Sequence, residues 1–220
     1  REGLYFSNFY TQQSIGTSAD SEFVFNTSLL PVNNGTVFLT NFDHKYVTTQ
    51  SLLQEEGYVT MYFHGNNGSF WNRSSMYKVM GYDVFYEGKS FEFDEEQILG
   101  MGISDKEFFL QSIEYLKESD EPYWATLVTL TNHTPWPDED KYLTYDGLKI
   151  EPEIDCDILQ LEDTATCRYL KSSRYADYAF GLFWEKLEEE GMLENTAIVV
   201  YGDHPAKLPI KEMELFYDRE

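Results

Sequence analysis

Three of the four histidines in this chain sit just past a stretch that reads as a buried strand, and the residues beside them are the types that hold metals and phosphates. The run Ile198-Val-Val-Tyr-Gly-Asp-His204 is β-branched until Gly202, then delivers a carboxylate and an imidazole together, Asp203 and His204. Adjacent oxygen and nitrogen ligands at a strand's carboxyl end suit a divalent cation, at the edge where open α/β sheets collect their chemistry. A strand followed by an ordinary polar turn would look similar. His64 follows a strand-like stretch at 58–63 and His133 one at 123–130, whereas His44 has no such position. A single histidine is usually structural, but three in equivalent places argue for one shared site. The loop Gly16-Thr-Ser-Ala-Asp20 puts two hydroxyls, Thr17 and Ser18, ahead of an expected helix N-terminus. Free backbone N–H groups there attract anions, and a hydroxyl activated by a metal is a nucleophile toward phosphorus. Capping of the helix is the plainer use of the same residues.

The elements that must place these loops can be read from periodicity and punctuation. Residues 4–10 are aromatic and strand-like, and 11–20 read as a loop. A helix is expected at 21–30 with Asp20 or Ser21 as N-cap, a turn at 31–35, and a short helix at 49–56 stopped by Gly57. A helix at 70–80 ends at Gly81 and is followed by a short strand at 82–86. A helix at 104–118 opens with Ser104 and Glu107 as a capping box and can bury Phe108, Ile113 and Leu116. The acidic stretch 136–162 lacks periodicity and reads as a surface excursion. The longest helix spans 166–190, with Tyr169, Ala176, Ala179, Phe183 and Leu187 near helical spacing and Gly191 ending it. A last strand is expected at 196–201. Strands alternating with helices predict one α/β domain over 1–220, with a mostly parallel sheet and helices on both faces.

Bulk properties narrow the partners. The 220 residues suffice for one α/β domain with a core, and 42% hydrophobic content excludes disorder. A formal charge of −23 argues against nucleic acid and anionic membrane surfaces as partners of the domain body. An anionic substrate then needs a local counter-charge, for which Arg73 is a candidate. The 17 Tyr and 16 Phe fit either an open cleft for a sugar or glycerol backbone or a tyrosine-rich core. Cys156 and Cys167 fit no zinc motif, and a bridge between them is plausible only in an oxidising compartment. No apolar run is long enough to span a membrane, and Arg1 starts no signal peptide. The abrupt start and charged end read as an excised piece of a longer protein.

The motifs taken together resemble the extracellular catalytic domain of the lipoteichoic acid synthase family, phosphoglycerol transferases within the alkaline phosphatase/sulfatase superfamily. The residues that carry the resemblance are Tyr5-Phe-Ser-Asn-Phe-Tyr10, Ser18-Ala-Asp-Ser-Glu-Phe23, Phe63-His-Gly-Asn66, Phe70-Trp-Asn-Arg73 with Met76-Tyr77, Gly81-Tyr-Asp83, Thr131-Asn-His133 and Tyr201-Gly-Asp-His204. They run in family order over nearly the whole chain. The resemblance implies a sulfatase-like fold, here incomplete, and Asp203 and His204 as ligands of Mn²⁺ or Mg²⁺. Ungapped alignment puts the family's nucleophile and metal-ligating threonine on Ser18, a departure in residue type, while a shift of one residue would place it on Thr17. The glycerophosphate-binding residues map onto His64, Trp71, Arg73 and His133. A further family ligand, a glutamate upstream of the nucleophile, has no match here and is expected outside this chain.

The implied reaction transfers glycerophosphate from a phosphatidylglycerol-type lipid, through a covalent enzyme intermediate, to a glycerophosphate polymer or glycolipid acceptor. The implied location is the extracellular face of the membrane, with a membrane-anchored parent. Related readings are another sulfatase-superfamily ester hydrolase and a phosphoethanolamine transferase. The x-Pro-x-Arg motif of formylglycine sulfatases is missing at the Ser18 loop. A non-catalytic module binding cell-wall polymer is the reading from a different class.

Overall fold

The computed structural model describes residues 3–136, 144–145, 148–150, 154–161 and 164–213. Its centre is a three-stranded parallel sheet made of β1 (Val59–His64), β2 (Val84–Tyr86) and β5 (Tyr123–Val128), in the order β2-β1-β5. Among the described residues two short antiparallel pairs complete the strands, β3 (Ile98–Leu99) with β4 (Gly102–Ile103) and β6 (Thr144–Tyr145) with β7 (Leu148–Lys149). The helices are α1 (Ser18–Thr27), α2 (Val37–Thr40), α3 (Thr49–Glu55), α4 (Arg73–Met80), α5 (Asp105–Glu118), α6 (Ala165–Glu189) and α7 (Ile210–Met213).

Alternation along the strands assigns the two faces. Side chains of a strand point to opposite faces in turn. Met61 and Phe63 of β1 therefore pack with Val84, Tyr86, Ala125 and Leu127 under α5 and α6, where Phe108, Ile113, Ala179 and Phe183 close the core. Tyr62 turns the other way and packs with Phe85, Trp124 and Val128 under α1, α2 and α4, against Phe23, Phe38, Met76 and Met80. Helices cover both faces, as the alternating order of elements predicts, because each strand carries apolar side chains on both sides.

Several expected elements form nearly where expected. Thr48 caps α3, its hydroxyl accepting from the Ser51 N–H at 3.1 Å, and Thr164 caps α6 in the same way through Cys167 at 3.1 Å. Others differ. Residues 4–10 form no strand, and Leu4 and Tyr5 are each 90% exposed. The expected strand at 196–201 is also irregular, with Val199 and Val200 exposed and Ile198 alone touching the core. Strand propensity is expressed only where a ladder and a face to bury exist, and neither segment pairs with a described strand. The helix expected at 21–30 is shifted back to Ser18–Thr27, and Ser28 ends it in a left-handed conformation at φ 57°. Ser104 makes no side-chain capping bond, so the expected capping box with Glu107 does not form. About half of the acidic stretch 136–162 lies outside the described residues. The part described includes β6 and β7, and Cys156, which is bonded to Cys167.

That bridge ties the segment before α6 to the helix's first turn, and Leu161, Ile154 and Leu170 pack around it. Closing a loop with a sequence separation of 11 removes conformations from the unfolded chain. Cys167→Ser is expected to cost about 3 kcal/mol, read as a lower denaturation midpoint than the oxidised parent.

Candidate active site

Because β1, β2 and β5 run parallel, their carboxyl ends share one edge. His64 closes β1 there. The connection out of β1 starts α4 at the same edge with Arg73, and the loop after β5 carries His133.

The Thr17–Ser18 loop is fastened from inside the helix it precedes. Asp20 Oδ2 accepts hydrogen bonds from the Ser14 N–H at 2.9 Å and the Gly16 N–H at 2.8 Å. A side chain at Gly16 would run into the Asp20 carboxylate and into the Thr36 methyl at 2.7 Å. Closed in this way, the loop holds Thr17 at φ 44°, ψ −113°, a conformation a β-branched residue rarely adopts and one that stores backbone strain. The Thr17 hydroxyl makes no capping bond, and neither Asp20 nor Ser21 is the N-cap. The expected caps fail because Asp20 lies inside the first turn and spends its carboxylate on the loop. Ser18 is the first helical residue and is buried. One turn later on the same face stands Glu22.

Glu22 and Arg73 form a buried ion pair with Nη2 and Oε1 2.6 Å apart, at 3% and 2% exposure. The other oxygen, Oε2, accepts from the Tyr62 hydroxyl at 2.8 Å and from the Tyr77 hydroxyl at 2.5 Å, while Arg73 Nε donates to the Tyr77 oxygen at 2.8 Å. Burial and the adjacent Glu22 charge hold both phenols well above their ordinary range, so they remain protonated donors. His64 is 1% exposed, and neither ring nitrogen has a hydrogen-bond partner. Burial first, and then the Arg73 charge, pull its pKa down to about 3, so the imidazole is neutral. Arg73 Nη1 is likewise buried and unpartnered. Buried polar groups are nearly always satisfied, so these atoms point to a ligand with acceptor oxygens.

Trp71 belongs to the turn that delivers Arg73. The expected continuous helix over 70–80 breaks there, since Trp71 at φ 54° and Asn72 at φ 57° are both left-handed. Asn72 Nδ2 donates to the Phe38 carbonyl at 2.8 Å and holds the break in place. The Trp71 indole rests half-buried against the α1–α4 face of the core, and the Phe70 ring lies 5.9 Å from the Arg73 guanidinium carbon.

His133 and His204 are brought together, with ring centroids 6.0 Å apart. The His133 loop is clamped from below by Asp105, whose Oδ1 accepts from the Leu130 and Thr131 N–H groups at 3.0 Å each, and by the Ser172 hydroxyl, which donates to the Thr131 carbonyl at 2.8 Å. Burial raises the Asp105 pKa. Asp203 Oδ2 lies 3.7 Å from His204 Nε2. Tyr201 stacks on Phe25 of α1 at 4.7 Å and sets this segment beside the helix. Its hydroxyl is pushed up by burial and then by the charges of Glu22 and Asp203.

Asp20, Glu22, Tyr62 and Asp105 are the supporting residues that motif reading passes over. Of these, Asp20 and Glu22 leave a trace, both in the motif that begins at Ser18, and Asp20 reads there as a helix cap. Among the described residues no three His, Cys, Asp or Glu side chains are grouped to hold a metal ion. Asp203 and His204 have the donor chemistry of a divalent-cation site, but they form only part of a ligand set.

Residues 1–213 match the family model for sulfatases. Lipoteichoic acid synthase 1 of Bacillus subtilis (strain 168) is 33% identical over 201 residues, which are 91% of this chain and 30% of that protein. The lipoteichoic acid synthase-like YvgJ of the same strain is 37% identical over 204 residues, 93% of this chain and 31% of that protein. The crystal structure of the lipoteichoic acid synthase LtaP from Listeria monocytogenes superposes with a TM-score of 0.82 at 28% identity, covering 94% of this chain and 50% of that one. The chain thus spans about a third of the length of the curated relatives it matches.

Two measurements probe the buried cluster. Glu22→Gln leaves the Arg73 charge uncompensated in the core and is expected to cost about 3–5 kcal/mol in chemical denaturation. His64 has a folded pKa of about 3, against an unfolded value of about 6.5. Protonation therefore favours the unfolded chain, and the stability present above about pH 6.5 is lost as pH falls toward 3. From pH 7 to pH 5 the loss is about 2 kcal/mol, and His64→Gln should flatten the denaturation midpoint over that window.

Proposed function

The chain belongs to the sulfatase family, and we propose that it is the catalytic part of a phosphoglycerol transferase acting on a phosphatidylglycerol-type lipid. The observation that carries this reading is a pair of buried, unpartnered groups, His64 and Arg73 Nη1, with Arg73 bound to Glu22 one turn after Ser18 in the helix that serine begins. A phosphodiester is the substrate chemistry that meets a helix N-terminus, a guanidinium and an imidazole N–H at once. The named relatives, two of them lipoteichoic acid synthases, support the same class.

In this reading Ser18 is the nucleophile. Its oxygen bonds to phosphorus, the phosphorus–oxygen bond to diacylglycerol breaks, and the serine proton ends on the diacylglycerol hydroxyl. In the second step an acceptor hydroxyl oxygen bonds to phosphorus, the serine ester breaks, and the acceptor's proton returns to Ser18. The neutral His64 ring and Arg73 hold phosphate oxygens in both steps, and the fixed geometry of Arg73, set by Glu22 and Tyr77, costs no rearrangement during reaction. Trp71 walls the glycerol side, and His133 donates to the glycerol hydroxyls. The strained Thr17 fixes the direction in which its neighbour's hydroxyl points. Asp203 and His204 would hold Mn²⁺ or Mg²⁺ with the Ser18 oxygen and one further carboxylate, and such an ion lowers the pKa of a hydroxyl it contacts. The acceptor is a glycerophosphate polymer or a glycolipid, and the work is done at the extracellular face of the membrane.

In the full-length protein, Ser18→Ala should reduce diacylglycerol release from a fluorescent phosphatidylglycerol by at least about 10³-fold, whereas Thr17→Ala should reduce it by no more than about tenfold. Equal loss in both variants would move the nucleophile to Thr17. Asp203→Asn should lower Mn²⁺ retained on dialysis, measured by elemental analysis. A wild-type protein that retains no Mn²⁺ and releases no diacylglycerol is the non-catalytic wall-polymer module instead.

A further inference from the structure

The long helix α6 is held in two places. From Tyr175 onward it is seated in the main core through Tyr175, Ala179, Phe183 and Leu187. Its first turns reach a separate apolar cluster, in which Cys167 and Leu170 pack with Ile154 and Leu161 around the Cys156–Cys167 bond. The Leu161 N–H donates to the Cys156 carbonyl at 2.9 Å and keeps the bridged loop tight. The Thr164 cap and a hydrogen bond from the Thr166 hydroxyl to the Glu212 carboxylate add to this hold. The cluster is small beside the main core, so the covalent bridge is its strongest tie.

These same first turns hold the backbone that carries His133. Tyr169 lies three residues before Ser172 and four before Ser173, so the three share one face of the helix. Tyr169 meets the buried Trp136 ring edge-on, with centroids 5.3 Å apart, and the Trp136 Nε1–H donates to the Asn132 carbonyl at 3.1 Å. The Ser173 hydroxyl donates to Asn132 Oδ1 at 3.2 Å, beside the bond from Ser172 to the Thr131 carbonyl. Thr131 and Asn132 on one side of His133, and Trp136 on the other, are therefore fastened to one helical face. That face begins two residues after Cys167.

We propose that Tyr169 and Ser173 are positioning residues for His133, and that the Cys156–Cys167 bond holds them in place. The proposal rests on the transferase reading above, in which His133 meets the glycerol hydroxyls of the donor. A side chain on a loop reaches its working geometry only through the rigid elements behind it, and a displacement of about 1 Å removes most of what a directional hydrogen bond supplies. The bridge then does more than stabilise the fold, because it sets how well a headgroup with hydroxyls is told from one without.

The test uses the full-length protein in detergent micelles, below the melting temperature of every variant. Fluorescent phosphatidylglycerol is the substrate, and phosphatidylpropanol, which has the same phosphodiester without the glycerol hydroxyls, is the competing inhibitor. The helix variant Tyr169→Ala/Ser173→Ala and the bridge variant Cys156→Ser/Cys167→Ser should each raise the KM for phosphatidylglycerol about tenfold while the Ki of phosphatidylpropanol moves by no more than about twofold. Tyr169→Phe, which keeps the ring, should retain the wild-type KM. Backbone hydrogen exchange over residues 129–136, read by mass spectrometry, should quicken at least about fivefold in both double variants. Equal shifts in KM and Ki, or unchanged exchange over this segment, in either double variant overturns the proposal. If the wild type releases no diacylglycerol, the transferase reading falls, and exchange alone decides whether α6 and its bridge hold the His133 loop.

Discussion

One buried ion pair fixes the arrangement of everything around it. Glu22 comes from α1, Arg73 from the start of α4, Tyr62 from β1 and Tyr77 from α4, and all four close on each other away from water. Taking two charges out of water is expensive, and the pair is tolerable only because the hydroxyls of Tyr62 and Tyr77 complete the carboxylate's shell. Such a cluster adds little net stability over an apolar replacement. What it supplies is registry: α1 can sit on the sheet in only one rotation if Glu22 is to be satisfied. That rotation also sets the direction of Ser18, one turn earlier on the same face. The same Arg73 charge helps keep His64 neutral.

This arrangement explains the tyrosine content. Tyr62, Tyr77, Tyr82 and Tyr175 are buried, and the first three do polar work inside the core. The Tyr82 hydroxyl joins Gln50, Asn26 and Thr126 in a second network on the same face of the sheet. Of the two uses composition allowed, the core is the one these residues serve. Phenols deliver a protonated donor into a dry interior without bringing a charge, which suits a domain whose formal charge is −23. Against that field, an anion is met by a few shielded groups, and Arg73 is dry on its Glu22 side with one nitrogen left unpartnered.

What the sequence made legible was what local rules govern. The long α6, the short α3 stopped at Gly57, the buried β1 and the position of His64 at its end all follow from periodicity and punctuation. The failures share a cause: they depend on partners far away in sequence. The segments 4–10 and 196–201 have strand composition, yet no described strand pairs with either. Asp20 looked like a cap and instead fastens a loop behind it, and Trp71 looked helical and breaks the helix. Glu22 was visible only as a letter in a motif, since nothing local announces that its partner is 51 residues away. The joining of His133 to His204 depends on Tyr201 packing against α1 and on Asp105 clamping the β5 loop, and neither contact leaves a periodic trace.

The same edge of the sheet therefore carries two environments of different character. On the α1 side the polar groups are buried, and two of them are unpartnered donors; beside β3 and β4 they are open, held by backbone bonds, and dominated by the carboxylates Glu87, Glu92 and Asp94. The division begins immediately after His64. Gly65 lets the chain approach the β3–β4 hairpin, where its carbonyl accepts from the Ile103 N–H at 3.3 Å, and the next residue, Asn66, already lines an open cavity on that side. A side chain at position 65 would strike the Ile103 side chain, at 2.5 Å. Substituting it would push the loop and hairpin apart and loosen the wall between the two environments. The short step from His64 to Asn66 is thus a structural boundary, with groups that attract an anion on one side and groups that turn one away on the other.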